Sequence, residues 1–222
     1  MDIQKSKKER AEKDDRIALE VFAPVYPYVA EKAISRTGIR SGSLLDVGCG
    51  GGYLGMAVME MGEFSGVFLD INEEILPFAE KHLQERKMKG ILVAGDVQEM
   101  PFESESFDLV VSRGSMPFWE NQEQAFQEIR RVLKPEGRAY IGVGYGSSEL
   151  RERIRRALNL KEGEPGGPRS RGMETKMYPD NTPYIRILEK MGVYYKIFDR
   201  ETDNDSDGRW FLFGKTPFQQ DF

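Results

Sequence analysis

The 222-residue chain carries 32 Lys/Arg against 37 Asp/Glu, a net charge of −5, with 39% hydrophobic and 31% charged residues. That composition fits one soluble α/β domain with appendages better than two full domains. No run approaches the ~18 apolar residues of a membrane span, and MDIQKSKKERAEKDD lacks the apolar stretch of a signal peptide, so the expectation is a cytoplasmic protein. One cysteine, Cys49, and one histidine, His82, leave no internal disulfide and no His/Cys zinc site. The negative balance argues against a general nucleic-acid binder and leaves only a local basic patch open.

Residues 1–20 are highly charged and read as a solvated helix or frayed arm. FAPVYPYVAEKAISRTGI places prolines early and predicts a helix over Val25 to Ser35. From Gly42 onward strand and helix patterns alternate. SLLDV is the first strand and Tyr53 to Met61 its helix; SGVFLD is the second strand. EEILPFAEKHLQERK is the next helix, with Asn72 as N-cap and Pro77 as an expected kink. His82 lies in a charged stretch of that helix and reads as a solvated surface residue. GILVAGD and FDLVVS are the third and fourth strands. NQEQAFQEIRRVL is an amphipathic helix with Ala125, Phe126, Ile129 and Leu133 along one face, KPEG is a turn, and RAYIGVG is the fifth strand. Apolar strands alternating with helices predict a parallel sheet covered on both faces. Beyond Ser147 come a basic helix, a Gly/Pro-rich loop over Glu162 to Asp180, a short helix, and the strands VYYKIFD and RWFLFGK.

The first strand runs straight into glycine: LLDVGCGGGYLG spans Leu44 to Gly55. Ligands of doubly wound sheets sit outside the carboxyl ends of the strands, and glycine lets the backbone turn sharply and approach a ligand. Two frames fit. Gly50-x-Gly52-x-x-Gly55, with Asp70 20 residues after Gly50, matches the dinucleotide fingerprint. The other frame is Asp46-x-Gly48-x-Gly50-x-Gly52, an acid that ends the strand with the glycines directly behind it. A pyrophosphate near this turn would meet Asp46 unfavourably.

The second frame resembles the first motif of the class I S-adenosylmethionine (SAM)-dependent methyltransferases, and the resemblance continues along the chain. VFLDINEEIL resembles that family's second strand with its ribose-binding acid. GDVQEMPFESESFDLVVS resembles its adenine-binding acid and fourth strand, and AFQEIRRVLKPEGRAYI resembles the helix, turn and fifth strand of the small-molecule group called type 11. The match runs from about Leu44 to Val143. It implies an α/β, doubly wound, mostly parallel seven-stranded sheet of order 3-2-1-4-5-7-6, with RWFLFGK antiparallel and an N-terminal helical segment. It divides the chain into an N-terminal helical arm or lid (residues 1–40) and a methyltransferase domain (residues 41–222), in which residues 155–190 form a flexible loop and helix suited to a substrate lid.

By resemblance, the cofactor is S-adenosyl-L-methionine. Asp46 serves the methionine ammonium region, while Gly48, Cys49 and Gly50 shape the pocket floor. Asp70 binds the ribose, Ile71 packs on adenine, and Asp96 accepts from the adenine amino group. Val97 offers its backbone N–H, and Ser112 or Arg113 contacts the methionine part or the substrate. Asp96 also fits a turn cap, and Cys49 fits a space-filler better than a nucleophile. No metal is expected.

The acceptor is less defined. Many relatives carry His just after the fourth strand, where this chain has SRGSMPFWEN, so histidine base catalysis is not expected. Catalytic candidates are Arg113, Tyr26 and Tyr28. Phe22, Tyr26, Tyr28, Met116, Phe118 and Trp119 are candidate walls, and Tyr26 and Tyr28, flanking Pro27, cannot easily share one helix face. The segment from Leu150 to Lys176 holds eight Lys/Arg against four Glu, a candidate grip for phosphate, carboxylate or RNA. The leading expectation is an enzyme that methylates a small organic acceptor, with an acidic acceptor held by Arg113 as the narrower form. The competing role for Arg113 is an ion pair with an acid such as Glu120. A non-catalytic SAM-binding module and an NAD(P)-linked oxidoreductase are the alternatives.

Overall fold

The computed structural model describes residues 2–159, 180–199 and 207–218. Helices α1 (Asp2–Glu20) and α2 (Val25–Thr37) precede strand β1 (Ser41–Val47), α3 (Tyr53–Met61) and β2 (Glu63–Asp70). Then follow a 3-10 turn (Glu73–Ile75), α4 (Leu76–Glu85), β3 (Gly90–Ala94), β4 (Phe107–Arg113) and a second 3-10 turn (Met116–Phe118). Helix α5 (Gln122–Val132), β5 (Leu133–Gly146) and α6 (Ser148–Ala157) lead to α7 (Thr182–Met191), β6 (Tyr194–Phe198) and β7 (Asp207–Gly214). The seven strands form one sheet of order β3-β2-β1-β4-β5-β7-β6. Strands β1 to β5 pair in parallel, and β7 runs antiparallel to both β5 and β6. This is the architecture that the alternating pattern and the family resemblance imply.

Both faces of the sheet are covered, so consecutive strand residues are apolar and part to opposite sides. Leu44, Leu109, Val111, Trp210 and Leu212 pack with α2, α3 and α6. Leu45, Val47, Val110, Phe211 and Phe213 pack with α5 and α7. Helix α2 supplies Val25, Val29, Ala30, Ala33 and Ile34 to the first of these cores. A division at residue 40 therefore runs through a shared core. Helix α7 buries Tyr184, Ile187, Leu188 and Met191, so this part of the expected substrate lid is core. The Gly/Pro-rich stretch with Gly163, Pro165, Gly166, Gly167 and Pro168 lies outside the described residues, as does the basic segment beyond residue 159.

Three local readings change. Helix α1 is not simply a solvated arm, because Ala11 is fully buried and Asp15 is only 9% exposed. The kink expected at Pro77 is instead a fresh helix start. Asn72 caps the 3-10 turn by accepting from the Glu74 N–H, and α4 then begins with Pro77 in its first turn, where a missing N–H costs little. The KPEG turn lies inside the span of β5, where pairing with β4 jumps from Phe107 opposite Leu133 to Leu109 opposite Arg138. Asp108 staples this bulge, accepting from Lys134 Nζ and from the Ser43 N–H, both at 2.7 Å.

Phe126 on α5 packs against Trp119, Tyr184, Phe211 and Phe213 with no exposed surface. Phe126→Ala is expected to cost about 3–5 kcal/mol. Urea unfolding should show this as a lower midpoint with an unchanged slope.

Candidate active site

The carboxyl ends of β1, β2 and β4 meet at one edge, and the glycine turn sits there. Its entry is fixed by backbone geometry: the N–H groups of Gly48 and Cys49 both donate to the Leu69 carbonyl, at 2.8 and 3.0 Å. Gly48 has φ +65°, and a Cβ there would run into Ser115, so the turn is available only to glycine. Gly50 also has a positive φ, +54°, yet a Cβ at Gly50 would meet nothing within 4 Å. The turn therefore presents bare backbone toward open space.

Two strand-end carboxylates hold this turn. Asp46, 1% exposed, accepts from the Gly55 N–H at 2.8 Å and so ties the end of β1 to the first turn of α3. Desolvation, with a smaller push from Asp70, raises its carboxyl to about 7 against the Gly55 hydrogen bond. Asp70, at the end of β2, accepts from the Gly50 N–H at 2.8 Å through Oδ2 and from the Asn72 N–H at 2.9 Å through Oδ1. Burial pushes the pKa of its carboxyl up too, against these two bonds. Each Asp70 oxygen keeps a second lone pair for a ligand hydroxyl. Ile71, next in sequence, is 72% exposed. Its open apolar face lies beside a ribose-suited acid.

The Gly95 N–H donates to the Asp70 carbonyl and sets Asp96 next to this region. Asp96 accepts from the Gln98 N–H and from Gln98 Nε2, both at 2.9 Å, so it caps its own turn. Val97 is buried. Cys49 is buried, with its thiol acidity pushed well down by desolvation and by Asp46 and Asp70, which suits a space-filler. Ser112 is fully enclosed and shares a 2.7 Å hydrogen bond with Ser115 Oγ, which reaches the Val47 carbonyl. The Ser112 side chain therefore braces the loop after β4 and does not offer its hydroxyl to a ligand.

Arg113 ends β4. Its Nε donates to the Gly144 carbonyl at 3.3 Å, and its guanidinium lies over the rings of Phe22 and Tyr26, at 4.7 and 5.4 Å. It also reaches the Tyr26 hydroxyl. The ion pair with Glu120 is not formed, and no described carboxylate pairs with Arg113. Tyr26 stacks on Tyr53 at 5.1 Å, and Phe22 stacks on Tyr145. Tyr28 points elsewhere: its ring covers Gly146 and lies under Lys32. Of the candidate walls, Phe22 and Tyr26 join Arg113. Met116 and Trp119 belong to the core under α5, and Phe118 is partly exposed.

His82 overturns its sequence reading. It is buried, and its Nε2 lies 2.8 Å from the Tyr53 hydroxyl and 3.1 Å from Asp15 Oδ1. His82 shares the buried face of α4 with Ala79 and Leu83, a face that its charged neighbours Glu80, Lys81 and Glu85 masked, and Asp15 of α1 and the Tyr53 ring of α3 enclose it. Asp15, Tyr53 and Tyr145 likewise escaped the sequence reading, because each is placed by an element distant in the chain.

These residues fit S-adenosylmethionine: an open glycine backbone, an acid with spare lone pairs, an exposed apolar side chain beside it, and a buried carboxylate that a cation would stabilise. Comparison with known proteins agrees. A methyltransferase-domain family profile matches residues 45–141. The crystal structure of a protein of Methanococcus maripaludis assigned to the S-adenosyl-L-methionine-dependent methyltransferases superposes with a TM-score of 0.82 and 33% identity, covering 96% of this chain and 95% of that one. The human mitochondrial arginine-hydroxylase NDUFAF5 is 35% identical over 125 residues, 55% of this chain and 34% of that protein. The malonyl-[acyl-carrier protein] O-methyltransferase of Methylococcus capsulatus is 33% identical over 121 residues, 54% of this chain and 43% of that protein. The chain thus spans between a third and a half of the length of these curated relatives. Among the described residues no helix is long and apolar enough to cross a membrane. With sheet order, glycine turn and near full-length similarity in agreement, the chain belongs to the class I SAM-dependent methyltransferases, and S-adenosyl-L-methionine is its cofactor.

Proposed function

We propose that the chain methylates a small organic acceptor that carries an acidic group, and that Arg113 holds that group. The observation behind this reading is a half-buried guanidinium at the cofactor end of β4, laid over the Phe22 and Tyr26 rings, with no carboxylate partner among the described residues. Burying an unpaired charge is costly, and the aromatic faces of Phe22 and Tyr26 offset only part of that cost. A carboxylate or phosphate bound bidentately supplies the rest. One curated relative acts on a malonyl group, whose free carboxylate belongs to this chemical class.

Bound S-adenosylmethionine supplies a methyl group activated by its sulfonium leaving group. What remains for the protein is placement and exclusion of water. In this reading Asp70 orients the ribose, Ile71 covers the adenine, and Asp46 faces the methionine ammonium. Asp96 is already committed to Gln98 and contributes to the adenine through its remaining lone pairs. Arg113 cannot serve as a base, and burial pushes the pKa of the Tyr26 hydroxyl up against the pull of Arg113, so Tyr26 stays a neutral phenol. An acceptor that is already anionic needs neither as a base. The relative named as an arginine-hydroxylase supports a second reading, in which the fold hosts oxidative chemistry. Transfer of labelled methyl from SAM to a pool of small acids separates the two.

Arg113→Ala should raise acceptor KM by about ten- to a hundred-fold, the loss of a charge-assisted pair worth roughly 1.5–3 kcal/mol. Affinity for S-adenosylhomocysteine should change little. Collapse of that affinity, or a neutral acceptor with unchanged kinetics, would remove Arg113 from the acceptor site.

Asp70→Ala should weaken S-adenosylhomocysteine at least ~10-fold by calorimetry. Because Asp70 also accepts from the Gly50 N–H, the variant should lose stability as well, by about 1–3 kcal/mol.

Asp46 predicts a pH dependence of stability. Its folded value, about 7, lies above the unfolded 3.8. The folded state therefore holds a proton that the unfolded state has released, and this stabilisation is full below the unfolded value and lost as pH rises through the folded one. Asp46→Asn keeps an acceptor for Gly55 and removes the titration. Without ligand, its Tm should exceed that of the wild type at about pH 8, and the gap should close toward about pH 5. An ammonium ligand favours the Asp46 carboxylate, so wild-type affinity for S-adenosylhomocysteine should rise with pH across this window, and the Asn variant should show no such rise.

A further inference from the structure

Helix α1 carries one carboxylate into the protein. Asp15 Oδ1 accepts from the Tyr53 hydroxyl at 2.8 Å, and both Asp15 oxygens lie within 3.2 Å of His82 Nε2. The third side of the triangle is the 2.8 Å contact between the Tyr53 hydroxyl and His82 Nε2. The three residues come from α1, α3 and α4, and all three are buried. The other His82 nitrogen, Nδ1, faces Glu85 Oε2 at 3.6 Å. Buried polar groups held this way are costly to separate and define one arrangement.

The location gives the cluster a consequence. A Cβ on Gly51 would run into Asp15 Oδ1, so α1 lies directly on the glycine turn. Helix α1 also packs against the Glu73–Ile75 turn, which follows Asp70 and Ile71. The helix therefore spans the two walls that hold the cofactor, the glycine turn and the end of β2. On the other side, Tyr53 stacks on Tyr26, which reaches Arg113. One contiguous chain of contacts thus joins Asp15 to the arginine at the end of β4. Beyond this cluster and its packing on the Glu73–Ile75 turn, α1 buries little apolar surface: its sequence is charged, and among its described side chains Ala11 is the fully buried apolar one.

We propose that Asp15, Tyr53 and His82 form a latch that holds α1 over the cofactor site, so that release of this latch sets the rate of cofactor exchange. The three are positioning residues. They touch neither methyl donor nor acceptor, and their hydrogen bonds keep Tyr26 and the glycine turn under α1. Breaking the latch lowers the barrier both to entry and to exit.

The test uses the full-length protein and S-adenosylhomocysteine as the probe, with Asp15→Asn, Tyr53→Phe and His82→Gln. Tyr53→Phe removes one hydroxyl and keeps the ring stack on Tyr26. Stopped-flow association and chase experiments read both rate constants. In Asp15→Asn and Tyr53→Phe, dissociation should accelerate by about ten-fold or more. Association should accelerate in the same direction, leaving Kd less changed than either rate. Hydrogen exchange should show lost protection in residues 7–20, with strands β1 and β4 still protected. Unchanged rate constants in variants whose α1 exchanges freely would overturn the latch as a gate. So would unchanged α1 protection in all three variants. A variant that fails to fold is replaced by the conservative Tyr53→Phe, which decides by the same rates. A wild type that does not bind S-adenosylhomocysteine would instead overturn the cofactor assignment, and the latch with it.

Discussion

The hydrogen bond from the Gly50 N–H to Asp70 Oδ2 connects the ends of two neighbouring strands across the glycine turn. Much of the site follows from it. It fixes the turn against β2, and with the Leu69 carbonyl it takes up the backbone donors of Gly48, Cys49 and Gly50. It also places a desolvated carboxylate where a ligand hydroxyl can use the remaining lone pairs. Asp46 repeats the arrangement one strand over, by accepting from the Gly55 N–H. Two strand-end acids, one buried and one half-buried, therefore serve the backbone first and keep lone pairs for a ligand. Such sites hold their geometry at a cost in stability, because desolvated carboxylates are unfavourable until a ligand compensates.

The N-terminal helices complete the site from outside the strand edge. Helix α2 is committed to the core through its apolar face, whereas α1 is highly charged and carries Asp15 into a buried polar cluster. This difference in packing chemistry separates a structural helix from a covering one. A helix bound through apolar area would be slow to lift, while a helix bound through a few directed hydrogen bonds has a discrete, low-energy way to open. Phe22, between the two helices, and Tyr26, in the first turn of α2, clamp Arg113. Cofactor enclosure and the shape of the acceptor side are therefore set by one stretch of chain.

The family resemblance and the alternation of patterns carried most of the architecture. Apolar runs separated by amphipathic helices predicted the five-strand parallel core, whereas the strand order and the antiparallel β7 were implied by the family resemblance, and the structure has both. The acids at Asp46 and Asp70 were legible because each ends an apolar run directly before a turn. Their hydrogen-bond partners were not, because a backbone N–H leaves no trace in sequence. Asp96 was readable both as an adenine ligand and as a turn cap, and the structure shows the cap. Ser112 was placed correctly at a strand end, but the side to which its hydroxyl turns depended on Ser115.

His82 and Arg113 mark where reading by pattern stops. A lone histidine among charged residues looks solvated, since helical periodicity records only its own helix and not the helix laid across it. Arg113 was assigned to the end of β4 from the apolar run before it, yet its seat over aromatic rings depends on Phe22 and Tyr26, about ninety positions earlier. Sequence alone determined the parallel core of the sheet, the glycine turn and the two strand-end acids, because these follow from local periodicity and from backbone conformations few residue types allow. Only tertiary structure decided which polar groups are buried together, because desolvation and hydrogen-bond pairing between distant segments are properties of packing and are written in no single stretch of chain.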